Sequence, residues 1–175
     1  MSLDELRQRI PDWAKDIRLN LEAVVLRSSL PPAEALGAAL ASAFAARCPA
    51  LVEALTAQME PADAQAALTA AALMGMNNTW YPFVEMAGDD ELKTLRPELR
   101  MNAYASHGGV SKRQFEAYAL AASIVGKCRY CVQSHYALLK QEGMKTQQLR
   151  DIGRIAAVVR AAAGVLGHVD GAIAT

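Results

Sequence analysis

The sequence predicts an all-α fold, and three observations carry that prediction. Alanine makes up about a fifth of the 175 residues, while Val, Ile, Thr and the aromatic residues are sparse, a composition that favours helix over strand. Apolar residues recur at three- and four-residue spacings along most of the chain, and no segment alternates convincingly as a strand would. Proline, glycine and short polar side chains interrupt the pattern where helices should begin or end.

Residues 3–10 read as a short amphipathic helix with Leu3, Leu6 and Ile10 on one side, halted by Pro11. Pro11 or Asp12 starts a second helix, whose stripe of Trp13, Ile17, Leu21 and Val24 or Val25 runs to about residue 27. The turn at Ser28–Pro32 leads into an alanine-rich helix over about 32–46, broken near Cys48–Pro49. A helix over about 49–59 ends before Pro61. Asp63 then caps another over about 63–76, with Leu68, Leu73 and Met76 facing inward. Asn77, Asn78 and Pro82 should interrupt it. Residues 83–97 are mixed in pattern, 97–104 form a short helix and Ser106–Gly109 a loop. Ser111 caps a helix over about 112–125 that stops near Gly126. Cys128 opens the next, which runs to about Gln141 with Gly143 just beyond its end. Thr146 caps the last, over about 146–164. The order of cysteine-interrupted helices at about 33–76 recurs at about 112–164, where A-S-I-V-G-K-C echoes A-S-A-F-A-A-R-C. An internal duplication within a single domain spanning 1–175 is therefore expected.

Eighteen basic residues balance eighteen acidic ones, which removes the electrostatic reason to expect nucleic acid or an anionic membrane surface as partner. The opening M-S-L-D-E-L-R-Q-R-I is charged and amphipathic rather than leader-like, and no window approaches about 20 uncharged apolar residues. The expected location is the cytoplasm. Three cysteines in such a chain do not form a secreted disulfide framework. In a reducing compartment a C-x-x-C pair points to catalysis, redox sensing or metal binding.

That pair is Cys128 and Cys131, with His135 four residues further on and Glu116 upstream. On a helix, positions 128, 131 and 135 fall within a sector of roughly 60°. Two thiols, an imidazole and a carboxylate are the groups needed to make a thiolate, oxidise it and close a disulfide. A thiol with a pKa of about 8.5 is only slightly ionised at neutrality. A helix N-terminus at the pair, His135 at i+4 from Cys131 and the flanking Lys127 and Arg129 would each favour the thiolate. Glu116, with its own pKa raised by burial, would act as a base or relay through His135 or a water. A solvated surface glutamate, a zinc site or a pair of core cysteines are the competing readings. C-x-x-C-x-x-x-H offers three zinc ligands and lacks a fourth nearby. Cys48, Met74, Met76 and Met86 read as core filling, Trp13 and Trp80 as packing residues, and His107 and His168 receive no role.

The pattern Glu116, Cys128, Cys131, His135, with L-R-Q-R-I-P-D-W-A-K-D-I-R-L-N-L, M-G-M-N-N-T-W-Y and L-R-P-E-L-R-M-N elsewhere, resembles the alkyl hydroperoxide reductase AhpD proteins of the carboxymuconolactone decarboxylase-like superfamily. The resemblance implies a duplicated helical fold assembled as a homotrimer, without a bound cofactor or metal. It implies a thiol-dependent antioxidant peroxidase for organic hydroperoxides. Cys131 would become the sulfenic acid, and Cys128, the resolving and proton-donating thiol, would form the disulfide with it. Glu116 and His135 would relay protons. Dihydrolipoamide, carried on a lipoylated dihydrolipoamide acyltransferase, would be the reductant, with the peroxiredoxin AhpC as a further electron acceptor. Where some members carry histidine this chain has Tyr130, a phenol that cannot serve as a neutral-pH base and keeps only an accessory role. The alternatives are a carboxymuconolactone decarboxylase-like enzyme and a non-enzymatic zinc or redox-sensing helical module.

Overall fold

The structure, a computed structural model, describes residues 1–173, and among them every regular element is helical. Ser2 and Glu5 close a reciprocal capping box on α1 (Leu3–Gln8). A 3-10 turn at Asp12–Ala14 precedes α2 (Lys15–Leu26), and it corrects the predicted stripe. Trp13 lies outside the helix and is 69% exposed, and the buried side chains are Ala14, Leu21, Val24 and Val25. Then follow α3 (Pro32–Ala45) and α4 (Pro49–Thr56), each with proline in its first turn, where the missing N–H costs nothing.

The largest departure is α5, which runs unbroken over Pro61–Ala87, through Pro82, and ends on Gly88 in the left-handed conformation. Asn78 and Tyr81 hold the continuation by tertiary contact, the Asn78 amide donating to the Ala122 carbonyl and Tyr81 stacking on Tyr130. The inward face is also different. Ala64, Ala67, Ala70, Ala71 and Met74 are buried, while Leu68, Leu73 and Met76 are only half-buried and Met86 is exposed. Asp63 lies in the first turn rather than at the cap. In place of a helix over 97–104, the chain forms α6 (Asp90–Thr94), capped by Asp89, an irregular stretch with Glu98 at positive φ, and α7 (Asn102–Ala105). A 3-10 turn at His107–Gly109 leads to α8 (Lys112–Gly126), capped by Ser111, then α9 (Arg129–Gln141) and α10 (Thr146–Ile173), which outruns its expected end.

The centre is built by α3 and α8 packed on each other, α5 against both, and α10 against α2, α3 and α8. Their facing surfaces are alanines, such as Ala38, Ala39 and Ala41 on α3 and Ala117, Ala121 and Ala122 on α8. Small side chains let the axes approach closely. Phe115 and Tyr118, both fully buried, fill the space that alanine leaves, and the Tyr118 ring occupies the place a side chain on Gly37 would take. By length and mean hydropathy Thr146–Gly171 of α10 could cross a membrane, although Arg150, Asp151, Arg154, Arg160 and Asp170 interrupt it, in keeping with the sequence reading that no long uncharged apolar run is present. Its Ile152, Ile155, Val159 and Leu166 instead lie in the core.

The α3–α4 and α8–α9 junctions share one hydrogen-bond pattern. Arg47 and Lys127 take positive φ, Cys48 and Cys128 are the N-caps, and each cysteine N–H reaches back five residues, to Ala43 and Ser123. The likeness is confined to this junction: α4 covers 8 residues and α9 covers 13.

Candidate active site

The α8–α9 junction delivers the cysteines. Lys127 turns the chain left-handed after α8, so Cys128 becomes the N-cap of α9 and Cys131 falls in its first turn. The two are joined by a disulfide, with Cα atoms 5.3 Å apart, so the structure holds the oxidised state. The Cys131 N–H donates to Cys128 Sγ at 3.2 Å, a sulfur cap on the helix. Unpaired N–H groups and the helix dipole at this end favour negative charge on either sulfur once the bridge opens. The positive flank is weaker than the sequence reading holds. Lys127 and Arg129 are exposed, and Arg129 faces Glu85 at 3.8 Å.

Glu116 is fully buried on α8, which removes the reading of a surface carboxylate. Its Oε2 lies 2.6 Å from His135 Nδ1, and its Oε1 accepts from the Tyr104 hydroxyl. Burial alone would push the carboxyl up. The hydrogen bonds from His135 and Tyr104 outweigh it and hold Glu116 below the ordinary glutamate range. The expectation of a raised pKa is therefore corrected: this is an ionised acceptor, and Nδ1 must supply the proton between it and His135. Burial, and then the negative charge of Glu116, push the Tyr104 phenol far above its usual value, so it stays a donor.

Three sequence-predicted residues thus meet around a cavity of about 330 Å³ lined by Cys131, His135, Tyr104 and Asn77, with Glu116 behind the imidazole. Cys128 does not line it; its Sγ lies 3.9 Å from the Asn77 carbonyl. Tyr130 also borders this cavity, 54% exposed, with its ring stacked on Tyr81 at 4.3 Å. Sequence reasoning missed Tyr104, which sits in a four-residue helix without periodic signal. It also gave Met74 no role beyond packing, yet its Sδ stands 3.1 Å from His135 Nε2. Cys48 is buried and free as expected. Trp80 packs on Phe83, and His107 and His168 sit edge-on to Phe115 and Trp13. Among the described residues no three His, Cys, Asp or Glu side chains converge on a point that would hold a metal.

Residues 90–170 match the carboxymuconolactone decarboxylase family. Over nearly its whole length the chain is also similar to curated proteins named alkyl hydroperoxide reductase AhpD. That of Rhodospirillum centenum is 42% identical over 170 residues, covering 95% of this chain and 91% of the relative. That of Anaeromyxobacter dehalogenans is 43% identical over 174 residues, covering 95% and 93%. That of Streptomyces avermitilis is 41% identical over 165 residues, covering 92% and 93%.

Proposed function

The chain belongs to the alkyl hydroperoxide reductase AhpD family, within the carboxymuconolactone decarboxylase-like superfamily, and from that premise we propose that it is a thiol-dependent peroxidase acting on organic hydroperoxides. The observation that carries this reading is the C-x-x-C bridge closed beside a cavity that Cys131 shares with a carboxylate-backed imidazole.

In the reduced protein, Cys131 faces the cavity and is the sulfur a peroxide meets first. Its thiolate attacks the terminal peroxide oxygen. An S–O bond forms, the O–O bond breaks and the alkoxide leaves as alcohol after taking a proton from the Cys128 thiol or His135. Cys128, its sulfur beside the Cys131 N–H, then attacks the sulfenic acid; the S–S bond forms and water departs. His135 moves the protons, Glu116 orients it, and Tyr104 fixes the second carboxylate oxygen so that Oε2 stays on the ring. A dithiol restores the pair by exchange and leaves as a disulfide. Dihydrolipoamide on a lipoylated dihydrolipoamide acyltransferase fits that requirement, and AhpC is a candidate acceptor downstream. A homotrimeric, cytoplasmic protein completes the proposal. Closed sulfurs and unconverged ligands give a zinc module less support, and a decarboxylase has no use for the bridge.

The test is a coupled assay with dihydrolipoamide and cumene hydroperoxide. Turnover should need both cysteines. Full activity in a Cys128→Ser, Cys131→Ser variant would transfer support to the decarboxylase-like reading.

A further inference from the structure

Beside the thiol cavity lies a second, larger groove of about 580 Å³ between the C-terminal half of α5, the segment following it and the first turns of α9. Trp80, Tyr81, Val84, Leu92, Leu95 and Tyr130 give it an apolar floor. Tyr130 borders both spaces, so the stacked Tyr81–Tyr130 pair forms the ridge between the groove and Cys131. A third cavity, about 420 Å³, adjoins both and shares Tyr81 with them.

The charges on the rim are uneven. Arg129 is turned to Glu85 at 3.8 Å and Lys93 to Asp90 at 2.6 Å. Arg96 borders the groove and the third cavity, and it has no ion-pair or hydrogen-bond partner among the described residues. Glu98 lines the third cavity but not the groove. The surface therefore offers an apolar trough that abuts the thiol cavity across the Tyr81–Tyr130 ridge and carries on its border a guanidinium without an ion-pair partner among the described residues. A planar cation of this kind recognises a carboxylate through paired N–H bonds.

We infer that this groove is a substrate subsite for amphipathic hydroperoxides of fatty-acid type, the hydrocarbon chain lying along Tyr81 and Tyr130 with its carboxylate on Arg96 and the peroxide group at Cys131. The inference rests on the peroxidase reading and deepens it by naming the substrate class. It also assigns Tyr130 a purpose that acid–base chemistry denies it: its ring is a wall for an alkyl chain. A ligand of this kind fits a groove within the usual volume range of small-molecule sites.

Two measurements decide it. With reductant saturating, linoleic acid hydroperoxide should show a KM about tenfold below that of its methyl ester, and Arg96→Gln should erase the difference. Equal KM values for acid and ester would overturn the subsite while leaving reduction of cumene hydroperoxide, and hence the peroxidase reading, intact. The second measurement needs no turnover. In a Trp13→Phe background, Trp80 is the only tryptophan, so its emission reports groove occupancy. Decanoate should perturb it at concentrations about tenfold lower than methyl decanoate, with the preference lost in Arg96→Gln. Trp80 emission that follows protein concentration and ignores decanoate would assign the groove to a second copy of the chain and refute the proposal. Were no hydroperoxide reduced at all, the peroxidase reading would fall with it, whereas the titration would still decide whether the groove takes a carboxylate.

Discussion

Replacing Glu116 with glutamine keeps the size of the side chain and removes its charge. The native carboxylate accepts two hydrogen bonds in a fully buried setting, from His135 Nδ1 at 2.6 Å and from the Tyr104 hydroxyl. Glutamine presents one carbonyl oxygen and one amide, so only one donor keeps an acceptor and the other faces N–H. A charge-assisted bond contributes roughly 1.5–3 kcal/mol and a neutral one about 1, while a buried donor left unmatched costs about 1–3 kcal/mol. The loss comes to about 3 kcal/mol, or roughly 6–12 °C in Tm for a chain this long. Glu116 is held below the usual carboxylate range, so its stabilisation is complete above the unfolded value of about 4.3 and disappears as pH falls through the folded value. The stability gap between wild type and Glu116→Gln should be full at neutrality and shrink on acidification below about pH 4. Oxidation of the reduced enzyme by hydroperoxide, followed by stopped-flow fluorescence, should slow by about 100-fold or more if the relay works as described. Rates within about threefold of wild type from pH 5 to 9, or a gap that widens in acid, would refute the reasoning.

Cys131→Ser should abolish peroxide reduction, while Cys128→Ser should accumulate a sulfenic acid at Cys131, read by mass spectrometry after dimedone labelling; equal labelling in both variants would reverse the assignment. Tyr104→Phe removes the donor that fixes Glu116 Oε1 and should lower kcat several-fold, with a shifted pH profile and little change in KM; an unchanged profile would leave Tyr104 as packing only. Gly37→Ala places a methyl group inside the Tyr118 ring and should cost about 1–3 kcal/mol by chemical denaturation. Combined with Tyr118→Ala, the two losses should sum to less than their separate values. Asp151 is buried, which would raise its pKa, but it accepts from the Ser29 backbone and hydroxyl and from Arg150 and Arg154, and these bonds hold it well below the carboxylate range. Asp151→Asn should therefore destabilise by about 2–4 kcal/mol at neutral pH. That difference should fade only as pH drops below about 3.9.

The parts of the site that lie close together along the chain were legible. Cys128, Cys131 and His135 share a helix face by spacing alone, and the break after Gly126 announces Cys128 as a cap. Glu116 was found by its place in an apolar stretch, but the sign of its pKa shift was not. That sign depends on Tyr104, which reaches Glu116 from an irregular segment through folding. Met74 could be recognised as buried and not as a neighbour of His135. In α5 the reading failed twice for one reason. Contact with α8 and α9 carries the helix past Pro82, and close approach of the axes selects alanine rather than leucine for the buried face. A pattern search that weights leucine over alanine will misplace such a face.

The bridge spans one turn at the start of one helix, between backbone positions 5.3 Å apart. A cross-link that encloses so few residues restricts the unfolded chain little, by about 2 kcal/mol in the entropic treatment against nearly 5 for a hundred-residue loop. Opening or closing the bridge therefore alters the stability of the fold little, and that stability rests on the alanine-lined helices.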